Sequence, residues 1–295
     1  MPRSCGEPLW KTNISNDGHL SRAKTSTLVV YVFSPTDAEY GNNLAFFVQN
    51  AVKENDNCVY YIIIQTTNDG YSYSSEGFAI LGEVELLQNV HVIRKRNSCY
   101  DIGTVGWLLR QIDLLPYQYY FWINSSVRGP FLPVYATMHW TDPFVSKINE
   151  NVKLVGCTIN CQIQPHVQSY VVATDKIGID ILMQSERVFK CYDELQGVID
   201  NSEIGASAEI LKAGYNIDSL MVRYQGVDWH SQLAQNCNQK YNPLEEFQND
   251  GTPMHIFEVL FVKVKEAMDG DKVKYLYAAA AKKYSTWIVN PGSRL

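Results

Sequence analysis

Residues 28–65 read LVVYVF-SPTDAEYG-NNLAFFVQNAV-KENDN-CVYYIIIQ, and this stretch decides the fold class. Leu28–Phe33 is an unbroken apolar, β-rich run that stops at Ser34-Pro35, which predicts a buried strand running into a loop. Asn42 to Val52 then sets Leu44, Phe47, Val48 and Ala51 on one helical face. Cys58–Gln65 is a second apolar run. A strand, a helix and a strand in this order make a crossover unit, and crossovers join parallel strands. Strands that are apolar throughout, without alternation, predict a sheet covered on both faces.

The alternation continues downstream. Val90–Arg94 reads as a third strand and Tyr119–Ile123 as a fourth, ending abruptly at Asn124-Ser125-Ser126. Between them, Thr104–Leu115 carries Val105, Leu108, Leu109 and Ile112 at helical spacing. Lys153–Thr158 and Tyr170–Thr174 read as further strands, and Thr66 to Ser75 as a polar loop. The prediction is an α/β fold with a mostly parallel sheet flanked by helices. Ligands of such folds bind beyond the carboxyl ends of the strands. That singles out Ser34-Pro35, Asn97 to Gly103, and Asn124 to Pro130. No repeat or linker stands out. The expected organisation is an N-terminal extension over residues 1–26 and a single domain over 27–295, divided near residue 135 into a ligand-binding part and a more irregular second part.

With 25 Lys+Arg against 31 Asp+Glu among 295 residues, the chain is acidic, which argues against bulk nucleic-acid binding. At 46% hydrophobic and 19% charged residues it is globular in composition rather than disordered. No apolar run approaches the roughly 18 residues that a membrane-spanning helix needs. The first 26 residues contain no apolar core of a signal peptide, so the expectation is a soluble chain in the cytoplasm. The seven scattered cysteines read as reduced, with Cys157 and Cys161 as small buried residues rather than a zinc pair.

The common nucleotide and hydrolase signatures, GxGxxG after the first strand, GxxxxGKS/T, GxSxG and HExxH, are missing from the sequence. Four segments carry chemistry instead. In Asn97-Ser98-Cys99-Tyr100-Asp101-Ile102-Gly103, Asp101 can cap a helix or accept a hydrogen bond from a ribose hydroxyl. In Asn124-Ser125-Ser126-Val127-Arg128-Gly129-Pro130-Phe131, small polar residues admit a ligand to the backbone and Arg128 can grip a phosphate; an ordinary strand-to-turn transition is the bland reading. In the third segment, Ser202 can cap a helix that stops at Gly214, so Glu203 either complements the helix dipole or acts as a general base. His255 to Lys263 joins a titratable ring, Glu258 and Lys263 to a strand-like run; the bland reading is surface charge on an edge strand.

Taken together, N-x-x-x-D-I-G, then an aromatic strand into N-S-S-x-x-G-P-F, then E-I-G-x-S with K-x-G-Y, and finally H-x-F-E-V-x-F-x-K resemble the rhamnan-synthesis-F-like glycosyltransferases and similar proteins of algae, fungi and large algal viruses. The resemblance spans roughly residues 90–265. It implies a GT-A-type, Rossmann-like fold that binds a nucleotide sugar. It also implies an inverting transfer of a sugar, xylose or rhamnose, from a UDP or dTDP donor to a glycan or glycoprotein hydroxyl, as in capsid glycosylation. For a viral chain the location is the host cytoplasm.

In such enzymes the fourth strand ends in Asp-x-Asp, which holds Mn2+ or Mg2+ on the diphosphate. Asn124-Ser125-Ser126 stands there instead, and neutral side chains are weak ligands for a hard dication. The expectation is therefore that no metal is required, with the diphosphate neutralised by Arg128, Lys263 or His255. Asp269-Gly270-Asp271 has the right letters in a charged turn but not the right place. The resemblance puts the catalytic base at Glu203, with Glu258 as competitor; strand-end geometry and the N-x-x-x-D-I-G segment put the donor against Ser34, Pro35, Asp101, Asn124, Ser125 and Ser126, with Arg128, His255 and Lys263 as its cationic partners. The loss of Asp-x-Asp equally suits a non-catalytic nucleotide-sugar or glycan binder. A nucleotidyl or phosphoryl-transfer enzyme would need clustered carboxylates for two metals, and none stand at the strand ends.

Overall fold

A computed structural model describes residues 26–66, 81–82, 84–245, 247–249, 251–268 and 275–289. All but one residue of the N-terminal extension, most of the 66–75 loop and Asp269-Gly270-Asp271 lie outside them. The strands are β1 (Ser26–Phe33), β2 (Cys58–Thr66), β3 (Val90–Arg96), β4 (Tyr117–Asn124), β5 (Val127–Arg128), β6 (Val152–Gly156), β7 (Ile159–Asn160), β8 (His166–Val167), β9 (Val171–Asp175), β10 (Asn216–Ser219) and β11 (Val262–Lys263). The helices used below are α1 (Tyr40–Ala51), α2 (Tyr100–Leu109), α3 (Asp142–Val145), α4 (Lys176–Gln184), α5 (Leu195–Val198), α6 (Ile204–Lys212), α7 (Ile256–Val259) and α8 (Leu276–Val289).

Seven strands form one sheet in the order β10-β6-β9-β4-β1-β2-β3. β1, β2, β3 and β4 run parallel, as the strand–helix alternation predicted. β9 is reversed, pairing antiparallel with both β4 and β6, and β10 rejoins in parallel with β6. The sheet is therefore largely parallel, with one strand inverted in its interior.

Strand periodicity puts successive side chains on opposite faces. On one face Tyr31, Tyr60 and Phe121 meet Phe47 of α1 and Trp140, with ring centroids 4.9 Å apart for Tyr31–Phe47 and 5.3 Å for Phe121–Trp140. On the other, Trp122 meets Phe189 edge-on at 5.8 Å. Both faces are covered, which is why β1 is buried from Thr27 to Phe33. Each such apolar side chain contributes roughly 1.5–3 kcal/mol by leaving water.

Local structure departs from the sequence reading at instructive places. The second helix begins at Tyr100, four residues earlier than the apolar periodicity suggested, so Asp101 lies inside it. Ser202 caps nothing; its hydroxyl is buried without a hydrogen-bond partner. The chain instead enters through α5 and a π-helical turn, Ile199–Glu203, that runs directly into α6. The predicted stop at Gly214 does occur. Gly214 takes φ +87°, its N–H donates to the Leu211 carbonyl, and the Tyr215 N–H reaches the Ile210 carbonyl, a Schellman ending. The strand-like run after His255 is mostly α7; only Val262–Lys263 is strand, antiparallel to β5.

The cysteines differ as well. Cys99–Cys191 and Cys161–Cys237 are disulfides, with Cα atoms 4.6 and 5.6 Å apart, while Cys58 and Cys157 are buried thiols. The partners lie 92 and 76 residues apart in sequence, and no local spacing could have paired them. No helix among the described residues is long and apolar enough to cross a membrane.

Candidate functional site

The carboxyl ends of β1, β2, β3 and β4 open onto a cleft of about 530 Å³. Its floor is Val32, Ser34 and the Asn124-Ser125-Ser126 turn; Gln65 and Asn97 close the side toward β3. Because β9 runs against its neighbours, the residues just before it, His166, Gln168 and Ser169, face the same cleft. The strand inversion thus delivers a second set of polar side chains to the ligand edge.

The turn after β4 is a closed hydrogen-bond system. Asn124 donates through Nδ2 to Asp101 Oδ2 at 2.8 Å, and its Oδ1 accepts from the Ser126 N–H and Oγ–H at 3.1 and 2.6 Å. Ser125 Oγ accepts from the Ser34 N–H at 3.2 Å, and Asn97 donates to Ser34 Oγ at 3.4 Å. Asn43, buried on α1, anchors the turn from behind by donating to the Ser125 and Val264 carbonyls at 2.9 and 3.0 Å. Asn124 and Asp101 therefore form one unit joining β4 to α2. Burial pushes the Asp101 carboxyl up, and the nearby Glu203 charge adds to that; hydrogen bonds from Asn124 and the Ile102 N–H oppose it without cancelling it.

Glu203 ends the π-helical turn and lines the cleft. An extra residue in a helical turn re-aims the side chains that follow, and such bulges recur at functional sites. Ser169 Oγ donates to Glu203 Oε2 at 2.5 Å, and His166 Nε2 lies 3.4 Å from Oε1. His166 is itself oriented by Nδ1, 2.8 Å from the Gln164 carbonyl. Burial pushes the Glu203 carboxyl up, but the His166 hydrogen bond, the Lys263 and His166 charges and the Ser169 hydroxyl together hold it below the ordinary carboxylate range. It is an anion over the whole neutral range. Since Glu203 sits at a junction between helical segments and not at a free N-terminus, a helix-dipole role does not account for it.

Lys263 and Lys265 supply positive charge on another wall. Lys263 Nζ lies 5.7 Å from the Tyr170 ring. Burial and its Lys263 neighbour lower the pKa of Lys265, against the pull of Asp37 and Asp101.

Of the predicted site residues, Ser34, Asp101, Asn124, Ser125, Ser126, Glu203 and Lys263 come together here. Pro35 stands between two lining residues, Ser34 and Thr36, but is not on the lining itself. Arg128 is taken away from the cleft. It is buried behind α1, with Nη2 on Glu39 Oε2 at 2.7 Å and Nε on Asn43 Oδ1 at 3.0 Å. His255 is exposed and caps α7, accepting from the Phe257 N–H at 3.3 Å, and does not line the cleft. Glu258 accepts from the Val222 N–H at 2.8 Å, also outside it. The residues that sequence reasoning missed are Lys265, His166, Ser169 and Gln65. Lys265 was legible as the second lysine of Lys263-Val264-Lys265, which alternation brings to the same side. The others had no local signal.

A metal on the donor would need oxygen ligands at the end of β4. Asn124 Oδ1 is already engaged by Ser126, and no carboxylate follows it there. Among the described residues, Asp56, Cys58 and His139 lie close enough to share a metal, their ligand atoms within 4.8 Å of one another. That group sits at the start of β2, the opposite sheet edge from the cleft. Its Asp56 already accepts from the Tyr60 hydroxyl and the Cys58 N–H at 2.6 and 3.0 Å, and burial pushes the Cys58 thiol up to about 12.

No protein-family model matches the sequence, and no curated protein matches it. Solved structures similar to the chain include a mannosyltransferase from Pyrobaculum calidifontis in complex with GDP-Man and Mn2+, at TM-score 0.46 and 9% identity over 67% of this chain and 55% of that one. The glycosyltransferase GlyE of Streptococcus pneumoniae aligns at TM-score 0.44 and 10% identity over 89% of this chain and 60% of that one. An active-site mutant of LgtC aligns at 0.44 and 9% over 87% and 94%. The chain therefore spans little more than half the length of the first two.

Proposed function

We propose that this chain is a glycosyltransferase that moves a sugar from a nucleotide-diphosphate donor to a glycan or glycoprotein hydroxyl with inversion. The observation that carries the reading is the cleft itself: one half-buried anionic carboxylate, Glu203, shares a wall system with two lysines and a hydroxyl- and amide-rich floor at the carboxyl edge of a largely parallel sheet. In this reading Asp101 accepts from the donor's ribose and Lys263 and Lys265 face the diphosphate. Glu203 takes the proton of the acceptor hydroxyl as its oxygen attacks the sugar carbon and the nucleoside diphosphate leaves. A carboxylate offers about four acceptor sites, so Glu203 can hold Ser169 and still receive an acceptor hydroxyl. The Lys263 charge is among the causes that hold Glu203 down. A bound diphosphate offsets that charge, so donor binding makes Glu203 a stronger base. The resemblance of the motifs supports a UDP- or dTDP-linked xylose or rhamnose as donor and a capsid glycoprotein as acceptor class.

The test is thermal-shift screening of UDP-, dTDP- and GDP-sugars, followed by product analysis with the sugar that raises the melting point. Ligand that binds only the native chain stabilises it by mass action. Slow hydrolysis of the donor without acceptor is the expected result. A donor that stabilises but is never cleaved, with any acceptor glycan, would favour the non-catalytic reading that the committed oxygen of Asn124 supports. At the end of β4 the Asn124 amide oxygen is spent on Ser126, which leaves Asp101 as the carboxylate bonded to that turn, with no second carboxylate there to complete an Asp-x-Asp pair. Turnover is accordingly expected to survive exhaustive EDTA treatment. Complete loss restored by micromolar Mn2+ would overturn that expectation.

Asp101→Ala is expected to weaken UDP binding by about 1–3 kcal/mol, the scale of a buried hydrogen bond lost together with the orientation of its partner. Isothermal titration with UDP measures it. Unchanged affinity would move the ribose elsewhere in the cleft.

A further inference from the structure

Neither disulfide lines the cleft, but each joins segments that carry lining residues. Cys99 immediately precedes Tyr100 and Asp101, which face the cleft. Its partner Cys191 lies four residues ahead of Leu195, where the α5–π-turn segment that ends at Glu203 begins. The intervening chain lies directly on α2: a Cβ built on Gly106 would stand 2.4 Å from Phe189 Cβ, and one on Gly103 3.1 Å from the Lys190 carbonyl. Arg110 adds a hydrogen bond to the Phe189 carbonyl at 3.3 Å. This bond therefore ties the Asp101 wall to the Glu203 wall. The second bond does the same on the far side. Cys161 stands between the lining residues Asn160 and Gln162, and Cys237 lies five residues ahead of the lining residue Asn242. The stretch around Cys237 has little regular structure, with Asn238, Gln239 and Lys240 all at positive φ. Besides the cross-link, that wall is held by Arg223, which donates to Asn238 Oδ1 at 3.0 Å, and by Gln168, which donates to Asn242 Oδ1 at 3.5 Å.

We propose that the oxidised chain is the binding-competent one, with Cys99–Cys191 and Cys161–Cys237 as positioning elements of two walls of the cleft. The inference rests on the donor-site reading above. Each bond forms by thiol–disulfide exchange: two cysteine thiols give up two protons and two electrons to a disulfide oxidant of the glutathione or protein-disulfide class, which leaves as two thiols. A reducing cytosol keeps such pairs open. The oxidised state therefore places the chain in an oxidising compartment and not in the cytoplasm that the sequence reading expects. A wall that samples open positions lowers apparent affinity by the fraction of time it is closed.

The experiment uses the full chain. Non-reducing peptide mapping is expected to recover the 99–191 and 161–237 cross-links; recovery of neither overturns the proposal. UDP affinity is then compared for the oxidised chain, the chain treated with dithiothreitol, and the Cys191→Ala and Cys237→Ala variants. These two remove a bond without touching a lining residue. Reduction and Cys191→Ala are expected to weaken UDP binding on the order of tenfold, with far-UV circular dichroism unchanged. Cys237→Ala is expected to weaken UDP binding less than Cys191→Ala, because the wall beside it carries neither Asp101 nor Glu203. Oxidised glutathione is expected to restore the reduced wild type but neither variant. Equal UDP affinity in both redox states overturns the proposal and leaves the donor-site reading standing. No UDP binding in either state, with both cross-links recovered, overturns the donor-site reading and the positioning role with it. A reduced chain that loses its circular dichroism signal also overturns the positioning role, because the bonds then hold the whole fold.

Discussion

Glu203→Gln is expected to lower kcat by roughly 10²–10⁴-fold while donor affinity stays nearly unchanged. That range is what a positioned base contributes, and the split is the pattern of an interaction made only in the transition state. The substitution preserves shape, and the amide oxygen can still accept from Ser169, so the helical junction should survive. The pH profile gives a second reading. Burial raises the Glu203 carboxyl, but His166, Lys263 and Ser169 outweigh it and leave the folded value below the ordinary one of about 4.3. A depressed carboxylate contributes stability that is present above the unfolded value and lost as pH falls through the folded value. The acid limb of kcat/KM, which reports the free enzyme, therefore falls below the ordinary carboxylate range. The limb of kcat lies higher, because bound diphosphate offsets Lys263. Full activity in the variant would sink the assignment. Glu258 could not then replace it, since that carboxylate is committed to the Val222 N–H outside the cleft.

Arg128→Ala is expected to destabilise the fold by about 3 kcal/mol and to leave donor KM close to that of the wild type. Removing one partner of a buried ion pair strands the other, at a cost of roughly 3–5 kcal/mol. The lower end applies because Glu39 keeps Lys282 at 2.7 Å. Asn43 loses its contact on Oδ1 but keeps its two donor bonds to the Ser125 and Val264 carbonyls, so the floor of the cleft is held. Urea denaturation and steady-state kinetics separate the two effects. A raised donor KM at unchanged stability would return Arg128 to the donor site, the role that its sequence motif suggests.

Sequence and structure agree where the signal is local. Leu28–Phe33, Asn42–Val52 and Cys58–Gln65 are elements whose periodicity and composition settle their type, and β1, α1 and β2 follow within two residues. Gly214 ends α6 because only a residue tolerant of φ +87° can close that turn. The lining positions Ser34, Asp101 and Asn124 were legible for a topological reason: in a parallel sheet every strand delivers its C-terminal residue to the same edge.

Local periodicity is enough for the α/β class, the parallel strands and the edge at which a ligand binds, since each follows from the type and order of successive elements. The tertiary structure decided the rest. Arg128 and Lys263 are register partners' neighbours across the β5–β11 pair, yet one turns into the core and the other into the cleft; that choice depends on pairing across more than a hundred residues. The inversion of β9 brings His166 and Ser169 to Glu203, and the disulfides join positions 92 and 76 residues apart. Such pairings depend on which distant surfaces fit once the chain has folded, and no window of local sequence contains both halves.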